Sequence, residues 1–228
     1  MFMVSVIIPA HNEREKINET VKASMQALSG KCEVIVVDDG SKDGTSFKAQ
    51  DVGAKVIRIP NKLGKGNALM QGLHICTGNI VVFLDGDIGE SALEICKLIE
   101  PIQCNKADMA VARFPESIYF PKRGLGIIRQ VAYYSVKRLC NAELHAILSG
   151  QRAAKRDVFL KLMPFATGFG VEVGLTIDAL RKGLRITEIN CNMTHRVTKW
   201  NLKGIYHKYI QLFQISSVIV DRYMNNRA

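Results

Sequence analysis

The stretch VSVIIPAHNE at residues 4–13, answered by VIVVDDGSKDGT at residues 34–45, decides the fold. In both, a run of β-branched apolar residues stops abruptly in polar, turn-forming ones, as in strands buried on both faces. Similar runs fill residues 54–59 and 80–84, and helical patterns at 13–28, 45–51 and 65–76 lie between them. The order βαβαβαβ predicts the α/β class: a mostly parallel central sheet with helices on both faces. Downstream, the spacing predicts a helix at 91–99, a strand at 109–113, a loop and helix within 115–148, helices at 155–162 and 171–182, a strand at 185–190 and a last helix at 202–224.

The chain has 228 residues, 47% of them hydrophobic and 23% charged, which suits one sizeable core and excludes collagen-like or disordered classes. With no internal repeat and no Ser/Pro linker, residues 1–228 read as a single domain. The net charge of +10 is unevenly placed. Residues 1–114 hold 13 basic and 14 acidic side chains, whereas 115–228 hold 18 and 7. A cationic half suits a phosphorylated ligand, an anionic membrane surface or nucleic acid; a solvated basic face is the plain alternative. Six cysteines without a C-x-x-C pair argue against a disulfide framework or a zinc ribbon. The N-terminus lacks the basic region and cleavage site of a signal peptide, and the uncharged run 209–220 is too short to span a bilayer. The expectation is a cytoplasmic protein, in contact with a membrane at most peripherally from its inner face.

Ligands of open parallel sheets sit at the carboxyl ends of the strands. Here those ends read PAHNE (9–13), DDGS (38–41), PNKLGKG (60–66) and DGD (85–87). Asp-Gly pairs also form plain turns, but four polar clusters at four successive strand ends exceed what turns require. Asp85 and Asp87, separated by Gly86, leave a buried strand together and suit a hard cation against a diphosphate. One of Asp38 and Asp39 suits a base N–H or a ribose hydroxyl; capping of the following turn is the alternative. Gly64-Lys65-Gly66 opens a helix whose N-terminus favours anions, although it is not a Walker P-loop.

Taken in order, VSVIIPAHNE, VIVVDDGSKDGT, NKLGKGNALMQGL (61–73) and VVFLDGDIG (81–89) resemble the family 2 glycosyltransferases of the GT-A fold. The likeness continues more loosely through LSGQRAAKRDVF (148–159), GFGVEVGLTIDALRKGLRITEI (168–189) and MTHRVTKWNLKG (193–204). Those later segments are similar to polyprenyl-phosphate sugar transferases and glucosyl-phosphoglycerate synthases. The resemblance implies a nucleotide-sugar-binding half at 1–114 and a basic, acceptor-binding half at 115–228. It implies that Pro9, Ala10, Asn12 and Glu13 line the nucleoside pocket and that Asp39 contacts the base. Lys65 and Gly66 would lie by the nucleotide, with Asp85, Gly86 and Asp87 at the metal, and Ser149 and Gly150 would face the donor sugar. Arg196 would add positive charge, and His195 would join Asp85 and Asp87 as a metal ligand, unless it is only a loop residue.

The cofactor so implied is Mn²⁺ or Mg²⁺, the donor a UDP-sugar, and the acceptor phosphorylated or lipid-linked, with no nucleic acid partner. Glu172 falls where these enzymes place an acidic residue. Many members show adjacent Glu-Asp there, whereas this chain has Val171-Glu172-Val173, so a base, a ligand for sugar hydroxyls and a structural role stay open. Asp87 and Glu172 are thus the expected catalytic residues. Inversion at the anomeric carbon is the family default, and the phosphoglycerate enzymes retain. Two other classes compete. A sugar-phosphate nucleotidyltransferase should carry a Gly-rich basic loop where this chain has PAHNE. A non-catalytic module for anionic surfaces leaves the acidic clusters unexplained.

Overall fold

Seven strands form one sheet in the order β3-β2-β1-β4-β6-β5-β7. The computed structural model describes residues 3–114, 125–193 and 202–225. In chain order the elements are β1 (Val4–Ala10), α1 (Ile17–Ala27), β2 (Cys32–Asp39), α2 (Thr45–Gln50), β3 (Lys55–Ile59), α3 (Lys65–Ile75) and β4 (Ile80–Phe83). A 3-10 turn (Gly89–Glu94) then leads into α4 (Ile95–Gln103), β5 (Met109–Arg113), α5 (Leu125–Cys140), β6 (Arg152–Lys155) and α6 (Arg156–Lys161). The 3-10 turn Gly168–Gly170 precedes α7 (Val171–Arg181), β7 (Ile186–Asn190) and α8 (Leu202–Met224).

Why the central strands are apolar throughout follows from their neighbours. Val4, Val6 and Ile8 pack with α1 and α4 on one face, while Ile7, Val37, Val81 and Phe83 pack with α3, α6 and α7 on the other. Each fully buried Val, Ile or Leu contributes about 1.5–3 kcal/mol, so both faces hold the sheet. The edge strands β3 and β7 carry no fully buried residue, in keeping with one open side. Pro9 lies beyond the last β1–β4 rung, Ile7 to Phe83, where its missing N–H costs no ladder bond on that side.

Two expectations shift. Residues 152–155 form an additional strand, β6, so the helix expected from Lys155 begins at Arg156, and β6 runs antiparallel to both β4 and β5. Its sequence, Arg-Ala-Ala-Lys, has no β-branched residue; its place between two strands makes it one. Residues 89–94 form a 3-10 turn ahead of α4, so the helix expected at 91–99 starts late.

A third apolar cluster lies outside the sheet layers, where Ile128, Ala132 and Val136 of α5 meet Val173 and Ile177 of α7 and Ile215 of α8. Helix α7 is therefore enclosed between the sheet and α5/α8, which is why VEVGLT is buried without a polar stripe. On the outer side of α8, Tyr209, Phe213 and Val220 are exposed. Among the described residues no helix is long and apolar enough to cross a membrane.

Candidate active site

The strand-end clusters converge on one side of the sheet, and their side chains divide the work. Asp38, buried, accepts the Ser41 N–H at 2.8 Å and the Ser46 hydroxyl, so it caps the turn that opens α2. Asp39 instead accepts the N–H groups of Leu63 and Gly64, each at 2.7 Å, and thereby fixes the loop entering α3. Gly40 turns the chain at φ +76°, and a Cβ there would lie 3.0 Å from the Lys62 nitrogen. The two loops touch because this residue has no side chain.

The residues after β1 are tied to the same turn. The Asn12 N–H donates to Ser41 Oγ at 2.9 Å, Asn12 Oδ1 accepts the Lys42 N–H at 3.0 Å, and the Glu13 N–H donates to Thr45 Oγ1 at 2.9 Å. Asn12 adopts φ 59°, a left-handed conformation that asparagine tolerates better than most residues. Pro9 and Ala10 complete β1, and Gly86 packs its backbone against the Glu13 side chain.

At the centre lies Lys65. Its Nζ sits 2.6 Å from Asp85 Oδ1 and 2.6 Å from Glu172 Oε1, joining the first residue of α3, the end of β4 and the first turn of α7. Burial works against the ammonium charge, but the two carboxylates outweigh it and hold the lysine above its ordinary range. The other oxygen of Asp85 accepts Gln151 Nε2 at 2.7 Å. Gly150 lies directly against this cluster: a Cβ would come within 2.5 Å of Lys65 Nζ and 2.8 Å of Asp85 Oδ1. Gly66 is equally constrained, its missing Cβ lying 2.2 Å from the Ala166 carbonyl oxygen.

Two residues that the sequence did not single out hold the cluster together. Gln151 bridges Asp85 to Ser149, whose hydroxyl donates to Gln151 Oε1 at 3.1 Å. Ser149 is thus buried with its hydroxyl turned inward, and of the pair 149–150 it is Gly150 that meets Lys65. Arg152 is 1% exposed, and its guanidinium donates to the carbonyls of Ser149 (2.9 Å), Ile147 (2.7 Å) and Glu172 (2.9 Å) and to Thr176 Oγ1 (3.0 Å). Met109 Sδ, at 3.8 Å, takes the remaining direction. Burial pulls this arginine down to about 10, with Glu172 and Glu188 acting the other way, so it stays charged at neutral pH.

Asp87, next to Gly86 beyond β4, is partly exposed. His195 and Arg196 lie outside the described residues. Among the described residues no three His, Cys, Asp or Glu side chains gather as a ready-made metal cage.

Comparison with known proteins agrees with the fold. The sequence profile "Glycosyl transferase family 2" matches residues 5–162. Glucosyl-3-phosphoglycerate synthase of Mycolicibacterium smegmatis is 32% identical over 213 residues, covering 85% of this chain and 70% of that enzyme. A dolichol-phosphate mannosyltransferase of Pyrococcus furiosus is 40% identical over 113 residues, covering 47% of this chain and 32% of its own. Among solved structures, glucosyl-3-phosphoglycerate synthase from Mycobacterium tuberculosis in complex with Mn²⁺, UDP-glucose and phosphoglyceric acid superposes with a TM-score of 0.82. It is 28% identical, and the match covers 97% of this chain and 79% of that one. With the strand-end clusters, the seven-stranded sheet and more than half the length inside one profile, the chain belongs to glycosyl transferase family 2 and is a glycosyltransferase.

Proposed function

We propose that the chain transfers a sugar from a UDP-sugar, with glucose as the first candidate, to a small phosphorylated acceptor, assisted by Mn²⁺ or Mg²⁺. The observation that carries this is the Lys65 bridge between Asp85 and Glu172, with Gly150 packed so closely against it that no side chain fits. The donor set suits a hard divalent cation, since two carboxylates flank a glycine at the end of β4. Both oxygens of Asp85 already accept hydrogen bonds, so Asp87 is the ligand we assign first, with His195 joining it. When bound, the cation supplies positive charge beside the diphosphate as the leaving group departs.

The chain's own groups would do the remaining work. Asp39 holds the β3–α3 loop, so the N-terminus of α3 lies at the strand ends, where its N–H groups favour the diphosphate. Lys65 fixes the separation of Asp85 and Glu172, placing them to accept hydrogen bonds from donor-sugar hydroxyls. Gln151 holds the Asp85 carboxylate from behind, and Arg152 holds Glu172 by its backbone carbonyl. Glu172 is 8% exposed and one of its oxygens is taken by Lys65. We therefore read it as a sugar ligand and not as a general base. With Glu172 committed to Lys65, retention is the outcome we expect.

The test is UDP release from UDP-glucose with Mn²⁺, comparing phosphoglycerate with a polyprenyl phosphate as acceptor and reading the product anomer by NMR. Transfer to phosphoglycerate with retention supports the proposal. Transfer only to the polyprenyl phosphate moves the chain toward the mannosyltransferase-like relatives, and no release from any UDP- or GDP-sugar refutes it.

A further inference from the structure

We infer that a second, non-catalytic site for a phosphate monoester lies at the far end of α7. A pocket of about 660 Å³ opens between the 161–167 loop, the last turn of α7 and Arg222 of α8. Its cationic end lies away from the donor cluster, since Glu172 and Arg181 stand at opposite ends of α7, about 13 Å apart along the helix axis, while Ala166 on its other wall backs onto Gly66.

Charge and hydrogen bonding together set its chemistry. Lys161, Arg181, Lys182 and Arg222 line it, with Asp178 as its one acidic residue. Asp178 is already matched, since its two oxygens accept Arg222 Nε and Nη2, both at 2.8 Å. Arg222 also pairs with Asp221, so its own charge is offset. Three cations are left: among the described residues Lys161, Arg181 and Lys182 enter no ion pair. Arg181 adds the second observation. Its Nε and Nη2 are buried without a hydrogen-bond acceptor among the described residues, a costly state for a guanidinium.

Basic residues at a helix C-terminus offset its dipole, which accounts for Arg181 and Lys182 as residue types. It does not account for a buried guanidinium edge without an acceptor beside a cavity of this size. Those two nitrogens form one edge of the guanidinium fork, the geometry that takes two oxygens of a phosphate together, and because neither has accessible surface here the side chain must turn toward the cavity to do so. The volume exceeds what a bare phosphate needs and falls within the range of small-molecule sites, hence a monoester with an organic body. A soluble metabolite and a lipid headgroup share that chemistry.

The experiment is calorimetric titration of the wild-type chain with inorganic phosphate, glycerol phosphate and phosphatidic acid vesicles, each in saturating UDP and Mn²⁺ to fill the donor site. A phosphate-binding event that persists under UDP, and that weakens at least about tenfold in Arg181→Gln while UDP affinity stays unchanged, supports the site. Lys161→Gln, at an exposed position, should weaken it severalfold and serves if the Arg181 variant fails to fold. Tighter glycerol phosphate than inorganic phosphate identifies a soluble monoester, whereas binding confined to vesicles identifies a headgroup. No binding under UDP up to about 10 mM, or an affinity indifferent to both substitutions, overturns the inference. The UDP affinity measured in the same samples reports on the donor site separately.

Discussion

The two ends of the parallel strands are held by different means. At the carboxyl ends, charges meet directly: Lys65 between Asp85 and Glu172, Gln151 on Asp85, and Arg152 behind them. At the amino ends, neutral donors close on one carboxylate. Glu33 Oε1 accepts the Ser5 hydroxyl at 2.5 Å, the Thr77 N–H at 2.5 Å and the Thr77 hydroxyl at 2.9 Å, while Ser5 Oγ accepts the Gly78 N–H at 2.8 Å. That end ties β1, β2 and the approach to β4 together through neutral donors. The contrast separates function from stability. Substitutions at the carboxyl ends should strike turnover first, and those at the amino ends should strike folding.

The largest expected effect is on catalysis. Asp87→Asn should lower UDP-glucose turnover by about 10²–10³-fold or more, with the circular dichroism spectrum and thermal midpoint close to wild type. A mutant that instead unfolds would blur the division between the ends. Lys65→Met and Gly150→Ala sharpen it from the other side. The first leaves two carboxylates facing each other without their ammonium, and the second pushes a methyl group into Lys65 and Asp85. Each should cost turnover about 10²-fold, with Gly150→Ala raising KM for the donor. His195→Ala, from the segment outside the described residues, should narrow any preference for Mn²⁺ over Mg²⁺ in the same assay.

Arg152 is the crossing point, because it serves the site yet touches no substrate-facing space. Arg152→Met strands the carbonyls of Ile147, Ser149 and Glu172 in the interior, so a loss of about 2–4 kcal/mol in urea unfolding is expected, accompanied by reduced turnover. Turnover lost at unchanged stability would mark Arg152 as something other than a positioning residue.

The smallest effect is at the amino ends, in acid. Burial pushes the Glu33 carboxyl up, but the bonds from Ser5, Thr77 and Gly78 outweigh it and hold it below the ordinary glutamate range. A carboxyl lowered in the folded state stabilises the protein above its unfolded value of about 4.3, and that contribution is lost as pH falls through the folded value. Between about pH 5 and pH 3, the thermal midpoint of the wild type should therefore fall more steeply than that of Glu33→Gln. Because Glu33 is partly solvated, the difference should be modest.

The chain order of strands and helices, and the polar clusters at the strand ends, were written in the sequence because they are local. A β-branched run that stops at Asp-Asp-Gly-Ser or Asp-Gly-Asp needs no distant partner to be read, and the apolar alternation that sorts Val6 from Ile7 onto opposite faces is a property of the strand itself. What only the tertiary structure decided depends on contacts between residues far apart in the chain. Lys65 meets Glu172 across 107 positions, and Asp39 meets Gly64 across 25. Residues 152–155 become a strand because a gap between β4 and β5 awaits them, although their composition favours a helix. Asp38 and Asp39 look alike in sequence, yet successive side chains of a strand point to opposite faces, so one caps a turn and the other holds the loop of the donor helix. Arg152 and Gln151 carried no motif, and their roles follow from burial, where an N–H of a charged side chain left without an acceptor is costly.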